Sequence, residues 1–178
     1  MTLIICSDIH GDLLGARAAI SAFERERADK LIILGDLLYH GPRNNLPSSY
    51  SPKEVIELLN ANRDNIIAVR GNCDAEVDQM VLNFPITSEF AEIFADGKTF
   101  VLTHGHRVDL DNPPPLKRGD FLLCGHTHIP KIQKFGNGNI YVNPGSVSIP
   151  KGNFPRTYML YKDGEFTLRD IENNQVEI

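Results

Sequence analysis

Five short apolar runs in this chain each end in side chains that can bind a metal ion. TLIIC runs into Ser7-Asp8-Ile9-His10, and LIIL into Gly35-Asp36. IIAV leads into Gly71-Asn72-Cys73-Asp74, TFVL into Thr103-His104-Gly105-His106, and FLLC into Gly125-His126-Thr127-His128. Each piece alone is weak. D-x-H recurs by chance, Gly-Asp is also turn chemistry, and two histidines on a strand can be ordinary polar residues. Jointly they are hard to dismiss, because five of the six histidines sit just after apolar runs and only His40 does not. Glycines flank the clusters, as expected where backbone must approach a site closely.

Imidazole, carboxylate and amide make a mixed nitrogen and oxygen donor set that suits manganese, iron or zinc. Thiols do not recur at short spacing, which argues against a structural zinc knot. Two carboxylates, four histidines and one asparagine exceed what a single four-coordinate ion requires. A bridging carboxylate would accommodate two ions roughly 3.5–4 Å apart, the geometry used for in-line attack on phosphate. Competing signatures are missing: there is no G-x-S-x-G elbow and no H-E-x-x-H. Gly97-Lys98-Thr99 resembles the tail of a phosphate loop, but Glu92 stands where that loop needs glycine, so a hairpin turn is the better account.

The elements that must position these residues can be read from the same chain. Residues 2–6 are predicted as a buried strand, and 12–27 as a helix with Leu13, Leu14, Ala16, Ile20 and Phe23 on one face. A second strand covers 31–34, followed by a Pro/Asn/Ser-rich loop from 40 to 51. SPKEVIELLNAN is predicted as a helix, with Ser51 at the N-cap, Pro52 at the first helical position and Glu54 completing a capping box. IIAV, at 66–69, is the third strand. A βαβαβ start with fully apolar strands argues a sheet covered on both faces. In such sheets, sites form where strand carboxyl ends converge. Beyond residue 86 the turns Asp96-Gly97, Gly136 to Asn139, Asp163-Gly164 and Glu172 to Asn174 predict hairpins of short antiparallel strands. No stretch marks a linker. The chain reads as one α/β domain over residues 1–178, long enough to bury roughly 70% of its unfolded surface.

Composition excludes several classes. The chain is 42% hydrophobic and 23% charged, with a net charge of -5. That balance offers no basic footprint and no dedicated nucleic-acid surface. The apolar runs are about five residues long, far below the ~20 that span a bilayer. MTLIIC has no basic start, and Asp8 and His10 interrupt it at once, unlike a secretory signal. Three cysteines without a C-x-x-C fit a reduced cytoplasmic compartment. Cys6 and Cys124 close apolar runs and read as small buried side chains. Cys73 is more ambiguous. It could be a ligand, a nucleophile, a buried filler, or a substitute for another catalytic residue.

In order, Asp8-x-His10, Gly35-Asp36, Gly71-Asn72-x-Asp74, His104 and Gly125-His126-x-His128 resemble the calcineurin-like metallophosphoesterase superfamily. The likeness spans residues 7–128 and extends to Asn143-Pro144-Gly145-Ser146. HGPRN, GNCD and NPGSVSIPKG narrow it to the small bacterial YfcE-type phosphodiesterases. That resemblance implies a four-layer αββα sandwich of two mixed β-sheets flanked by helices, with metals at the carboxyl-terminal edge. It implies two divalent ions, manganese first, with iron, zinc, nickel or cobalt as alternatives. One ion would take Asp8, His10, Asp36 and His128, and the other Asp36, Asn72, His104 and His126, with Asp36 shared. The implied reaction is hydrolysis of a small phosphodiester by direct attack of a hydroxide shared between the ions.

Cys73 departs from that pattern. The superfamily usually carries histidine there, where it protonates the leaving alkoxide while the following acid orients it. Cys73 and Asp74 are therefore the candidate catalytic residues. His106 has no counterpart among the ligands and is placed behind them or near substrate. Arg43 and Asn44, with Lys151, are either substrate contacts or solvated loop residues. Arg70 is either an ion-pair partner or a phosphate anchor. No membrane partner is expected, and homo-oligomerisation stays open. Three other readings share the fold: a non-catalytic scaffold of the retromer-subunit kind, whose ligand set is eroded, a phosphomonoesterase, and a nuclease.

Overall fold

The computed structural model describes residues 1–178. Its first part alternates β1 (Leu3–Cys6), α1 (Leu13–Glu26), β2 (Lys30–Ile33), α2 (Pro52–Ala61) and β3 (Ile66–Ala68), then a one-turn helix α3 (Glu76–Gln79). Each of the first five moves by one residue at most from its predicted bounds. The second part consists of β4 (Phe90–Ala95), β5 (Lys98–Thr103), β6 (Phe121–Leu123), β7 (Lys131–Phe135), β8 (Asn139–Asn143), β9 (Thr157–Lys162) and β10 (Glu165–Asp170). These strands form two five-stranded sheets, ordered β10-β9-β1-β2-β3 and β4-β5-β6-β8-β7.

Both sheets are mixed. In the first, β1, β2 and β3 are parallel while β9 and β10 run antiparallel. In the second, hairpins join β4 to β5 and β7 to β8, yet β5, β6 and β8 are parallel to one another. The hairpins expected after residue 86 form, and the parallel pairing of β5, β6 and β8 makes this sheet mixed, as the resemblance implies. The β5–β6 connection, residues 104–120, is long enough for the crossover that parallel neighbours need.

Period-two alternation divides the core between two faces. Leu3 and Ile5 of β1 pack with Phe100, Leu102, Phe121 and Leu123 between the sheets. Ile4 and Cys6 point the other way, onto Ala16, Ala19 and Ile20 of α1 and Val55 and Leu59 of α2. Helices thus cover the outer face of the first sheet. On the second sheet, Val101, Leu122 and Tyr141 are covered by Leu110 and Leu116 of the β5–β6 connection.

Two local expectations change. Leu14 is 51% exposed, and Ala19 takes its place on the buried face of α1. Ser51 does cap α2, with Pro52 at the first position, but its hydroxyl makes no bond to the helix backbone. It donates instead to Glu54 Oε2 at 2.6 Å, so the capping box closes between side chains. The hairpin turns behave as read: Asp96 and Gly97 both have positive φ, 51° and 73°, as a type I′ turn requires.

Candidate metal centre

Parallel strands explain the gathering of the polar residues. β1, β2, β3, β5 and β6 all present their carboxyl ends to one edge, where two sheets meet. Asp8 and His10 follow β1, Asp36 follows β2, and Asn72 follows β3. His104 follows β5, and His126 and His128 follow β6. Five of these seven side chains sit on left-handed backbone: Asp8 (φ 56°), His10 (50°), Asp36 (56°), His126 (66°) and His128 (60°). Such conformations cost about 1–3 kcal/mol each outside glycine, and they cluster where surrounding structure imposes a site.

Three histidines are aimed by main-chain carbonyls. His10 Nδ1 donates to Tyr39 O at 2.7 Å, His104 Nδ1 to Leu34 O at 2.6 Å, and His128 Nδ1 to Ile149 O at 2.6 Å. A carbonyl can only accept, so each Nδ1 holds the proton and each neutral Nε2 offers a lone pair. Those lone pairs converge on the two carboxylates. His128 Nε2 lies 3.1 Å from Asp8 Oδ1 and 3.4 Å from His10 Nε2. Asp36 Oδ2 lies 3.6 Å from His10 Nε2 and 3.5 Å from His104 Nε2, midway between the two halves of the cluster. Asn72 Oδ1 lies 3.0 Å from His104 Nε2.

This donor set fits a cation. Asp8 is fully buried, and its Oδ1 has no hydrogen-bond donor, while its Oδ2 accepts the His126 N–H at 3.0 Å. A buried carboxylate oxygen facing imidazole lone pairs is costly unless positive charge sits between them. Three overlapping groups meet metal-ligand spacing: Asp8 with His10 and His128, Asp8 with Asp36 and His104, and His10 with Asp36 and Cys73. Where protons supply the charge, the shifts follow. Burial alone would raise Asp8 and Asp36, yet the neighbouring histidines hold both carboxyls below the usual range, Asp8 well below it. Burial would lower His104, but the bond to Asp36 and the charges of Asp8 and Asp36 push it up to about 9.

Asp74 does not take the place expected of it. Its carboxylate accepts three backbone N–H groups, those of Asp36, Leu37 and Gly71, each at 2.8 Å. Its contacts are thus with the backbone of the β2 and β3 loops, not with the thiol of Cys73. Cys73 is half-buried, and its Sγ receives the Asn72 Nδ2 at 3.2 Å. Burial, then Asp36, pushes the thiol up to about 12.

A cavity of about 670 Å³ opens over the cluster, lined in part by Cys73, Arg43, Asn44, Asn72, His126 and Lys151. His126 is the most open of the four histidines, its ring centroid 5.1 Å from that of His104. The His106 ring lies tilted beside His104, centroids 5.3 Å apart, outside the cavity lining. Arg70 pairs with Glu76 at 3.3 Å, which resolves its two readings in favour of the ion pair.

Several positioning groups left no trace in the sequence. The carbonyls of Tyr39, Leu34 and Ile149 would serve with any side chain attached. Ser146 is different. Its hydroxyl donates to Asp8 O at 2.8 Å and accepts the Ile149 N–H at 2.8 Å. Asn143 Nδ2 donates to Gly125 O at 2.7 Å, steadying the turn that carries His126. The Asn143 to Ser146 stretch was the available signal for both.

Two mixed sheets carrying Asp and His donors on their shared carboxyl-terminal edge define a metallophosphoesterase architecture. The chain belongs to the calcineurin-like phosphoesterase superfamily, whose domain it matches over residues 1–163. It is 48% identical to the phosphodiesterase YfcE of Escherichia coli K12 over 158 residues, 89% of this chain and 85% of that one. It is 31% identical to the phosphodiesterase MJ0936 of Methanocaldococcus jannaschii over 153 residues, 82% and 83% of the two chains. The solved structure of YfcE, a phosphoesterase from E. coli, superposes with a TM-score of 0.96 at 42% identity, covering 99% of this chain and 97% of that one. Zinc-bound Vps29 of Entamoeba histolytica shares the fold alone, with a TM-score of 0.55 at 19% identity over 94% and 90% of the chains.

Proposed function

We propose that this chain is a metal-dependent phosphodiesterase acting on small diesters. Asp8, His10, Asp36 and His128 would hold one divalent ion, and Asp36, Asn72, His104 and His126 a second. Manganese is the first choice among the ions that suit a mixed nitrogen and oxygen donor set, with iron, zinc, nickel or cobalt as alternatives. When bound, such ions polarise phosphoryl oxygens and lower the pKa of water at the site. The observation that carries the reading is Asp8 Oδ1, buried without a donor, beside imidazole nitrogens whose lone pairs are fixed inward.

The chain's own groups divide the remaining tasks. Main-chain carbonyls hold the Nδ1 protons, so the Nε2 atoms stay free as ligands. Asp74 fixes the backbone under Asp36 and so places its carboxylate between the two halves. Cys73 and Asn72 line the wall beside the leaving group, and Arg43 and Asn44 contact the substrate. No apolar helix is long enough to cross a membrane, and the cytoplasm is the proposed location.

Metal content by mass spectrometry, paired with hydrolysis of an aryl phosphodiester and its monoester, tests the reading. We expect turnover of the diester with Mn²⁺, and loss of turnover with chelator and in Asp36→Asn. A protein that stays metal-free and inactive with every divalent ion would favour the scaffold alternative.

A further inference from the structure

Two cations face the cavity over the cluster with no carboxylate to meet them. Among the residues lining that cavity, Arg43 and Lys151 are cationic, and the single carboxylate is Asp36, which belongs to the cluster. Six of the other nine arginines meet a carboxylate, as Arg70 does Glu76 and Arg156 does Asp12, whereas Arg27, Arg118 and Arg169, which lie outside this cavity, do not.

Both cations hang from the same end of the cluster. Arg43 lies on the loop after Tyr39, whose carbonyl holds His10 Nδ1 at 2.7 Å. That loop is closed by Asn44 Nδ2 donating to His40 O at 2.9 Å. Lys151 donates its backbone N–H to His128 O at 3.1 Å, two residues after the Ile149 carbonyl that holds His128 Nδ1. The two Nε2 atoms, of His10 and His128, are 3.4 Å apart. Arg43 and Lys151 therefore flank one histidine pair from two loops more than a hundred residues apart in sequence.

A phosphodiester carries one negative charge at its phosphate, and the metal cluster already answers it. Two further cations call for a further anion. Guanidinium offers a planar fork that matches phosphate oxygens, and ammonium adds a point charge. The cavity, about 670 Å³, also exceeds what a lone phosphate fills. We propose that Arg43 and Lys151 bind a second phosphate on the substrate. The preferred substrate class is then a phosphodiester in which one esterifying alcohol carries a phosphate monoester. This rests on the phosphodiesterase reading of the cluster.

A matched pair of substrates tests it. One is the 4-nitrophenyl ester of a nucleoside 5′-phosphate with a free 3′-hydroxyl, and the other carries a phosphate at the 3′ position. With Mn²⁺-loaded protein, the phosphorylated ester should show a kcat/KM higher by about tenfold or more, mostly through KM, as a charge-assisted contact gives. In Arg43→Ala and in Lys151→Ala that ratio should fall toward one, whatever happens to the absolute rates. Equal kcat/KM for the pair in the wild type overturns the proposal, and so does a preference that survives both substitutions. Calorimetry with the nucleoside 3′,5′-bisphosphate and 5′-phosphate separates this site from the reaction. Equal affinity for the two overturns the second-phosphate site even in a protein that turns over neither ester. Tighter binding of the bisphosphate, lost in Arg43→Ala, upholds the site even if the diesterase reading fails.

Discussion

Asp74 accepts the backbone N–H of Asp36 at 2.8 Å, and Asp36 Oδ1 in turn accepts the backbone N–H of Cys73 at 2.8 Å. The loops after β2 and β3 thus grip one another reciprocally, each carboxylate holding the other loop's main chain. The grip acts at a residue whose φ is 56°, a conformation that needs outside support. Asp74 is the residue expected to orient the group at position 73. The geometry makes it the support of the group at position 36.

Replacing Asp74 should therefore act through metal affinity. Asp74→Asn puts an amide nitrogen against N–H donors and removes charge-assisted bonds worth about 1–3 kcal/mol each. Metal affinity, titrated by calorimetry, should fall about 10–100-fold, the usual cost of losing a group that orients a ligand. The kcat of the fully loaded variant should change much less. Wild-type affinity combined with a collapsed kcat would mean that Asp74 moves protons, and the positioning role would be wrong.

Glycine 71 makes the same point sterically. A Cβ there would overlap the Asp36 carboxylate and its backbone nitrogen. Gly71→Ala should cost about 1–3 kcal/mol in stability as an overpacked site and lose metal binding with it. Gly138, in the β7–β8 turn, has φ 80° but open space around its Cα. Gly138→Ala should cost about 1 kcal/mol from backbone strain alone and leave metal binding untouched. Denaturant melts with parallel metal titrations compare the two, and equal metal affinity in both variants would refute the steric account.

The gathering of the seven proposed donors at one edge could be read from the sequence because each follows an apolar run, and strand ends converge. Asp8, Asp36 and His104 needed no knowledge of the partner sheet. The direction of β5, β6 and β8 was a different matter. Their parallel pairing is set across the 104–120 connection and the β7–β8 hairpin, and pairing at that range leaves no local pattern. Main-chain groups such as Tyr39 O and Ile149 O are invisible for another reason, since any residue type supplies a carbonyl. Asp12 and Arg156, bonded at 2.8 Å across 144 positions, pair only because α1 and the approach to β9 share one edge.

Chelated protein should lose stability as pH rises from about 6.5 to 9. In that state the Asp36 bond and nearby carboxylates push His104 up to about 9 despite its burial, above the ~6.5 of an unfolded histidine. A raised folded pKa means stability fully present below the unfolded value and lost as pH climbs through the folded one. Asp74, pushed up to about 6 by burial, completes its titration at the bottom of this window and acts in the same direction, since its folded pKa is also raised. Metal ions need the deprotonated imidazole, so their affinity should rise across the same range. The gap in Tm between loaded and chelated protein should then widen with pH. A chelated Tm that is flat or climbing between pH 6.5 and 9 would contradict this.

Position 73 should decide which esters are cleaved. Burial and the charges of Asp36, Asp74 and Asp8 push the Cys73 thiol up to about 12, so it releases its proton reluctantly near neutral pH. Leaving groups that are stable as anions need no proton, whereas simple alkoxides do, and a well-matched general acid contributes about 10²–10⁴-fold. An imidazole at this position would titrate close to neutral pH. Room for it exists on the side of Gly41, which has no side chain and would bring a Cβ to 3.2 Å from Cys73 Sγ if it did. Cys73→His should raise kcat/KM for alkyl monoesters at least about tenfold relative to an aryl diester. Adding Gly41→Ala should blunt that gain by crowding the ring. The comparison is kcat/KM for both esters at equal metal content. An unchanged diester-to-monoester ratio would reduce Cys73 to a piece of the cavity wall.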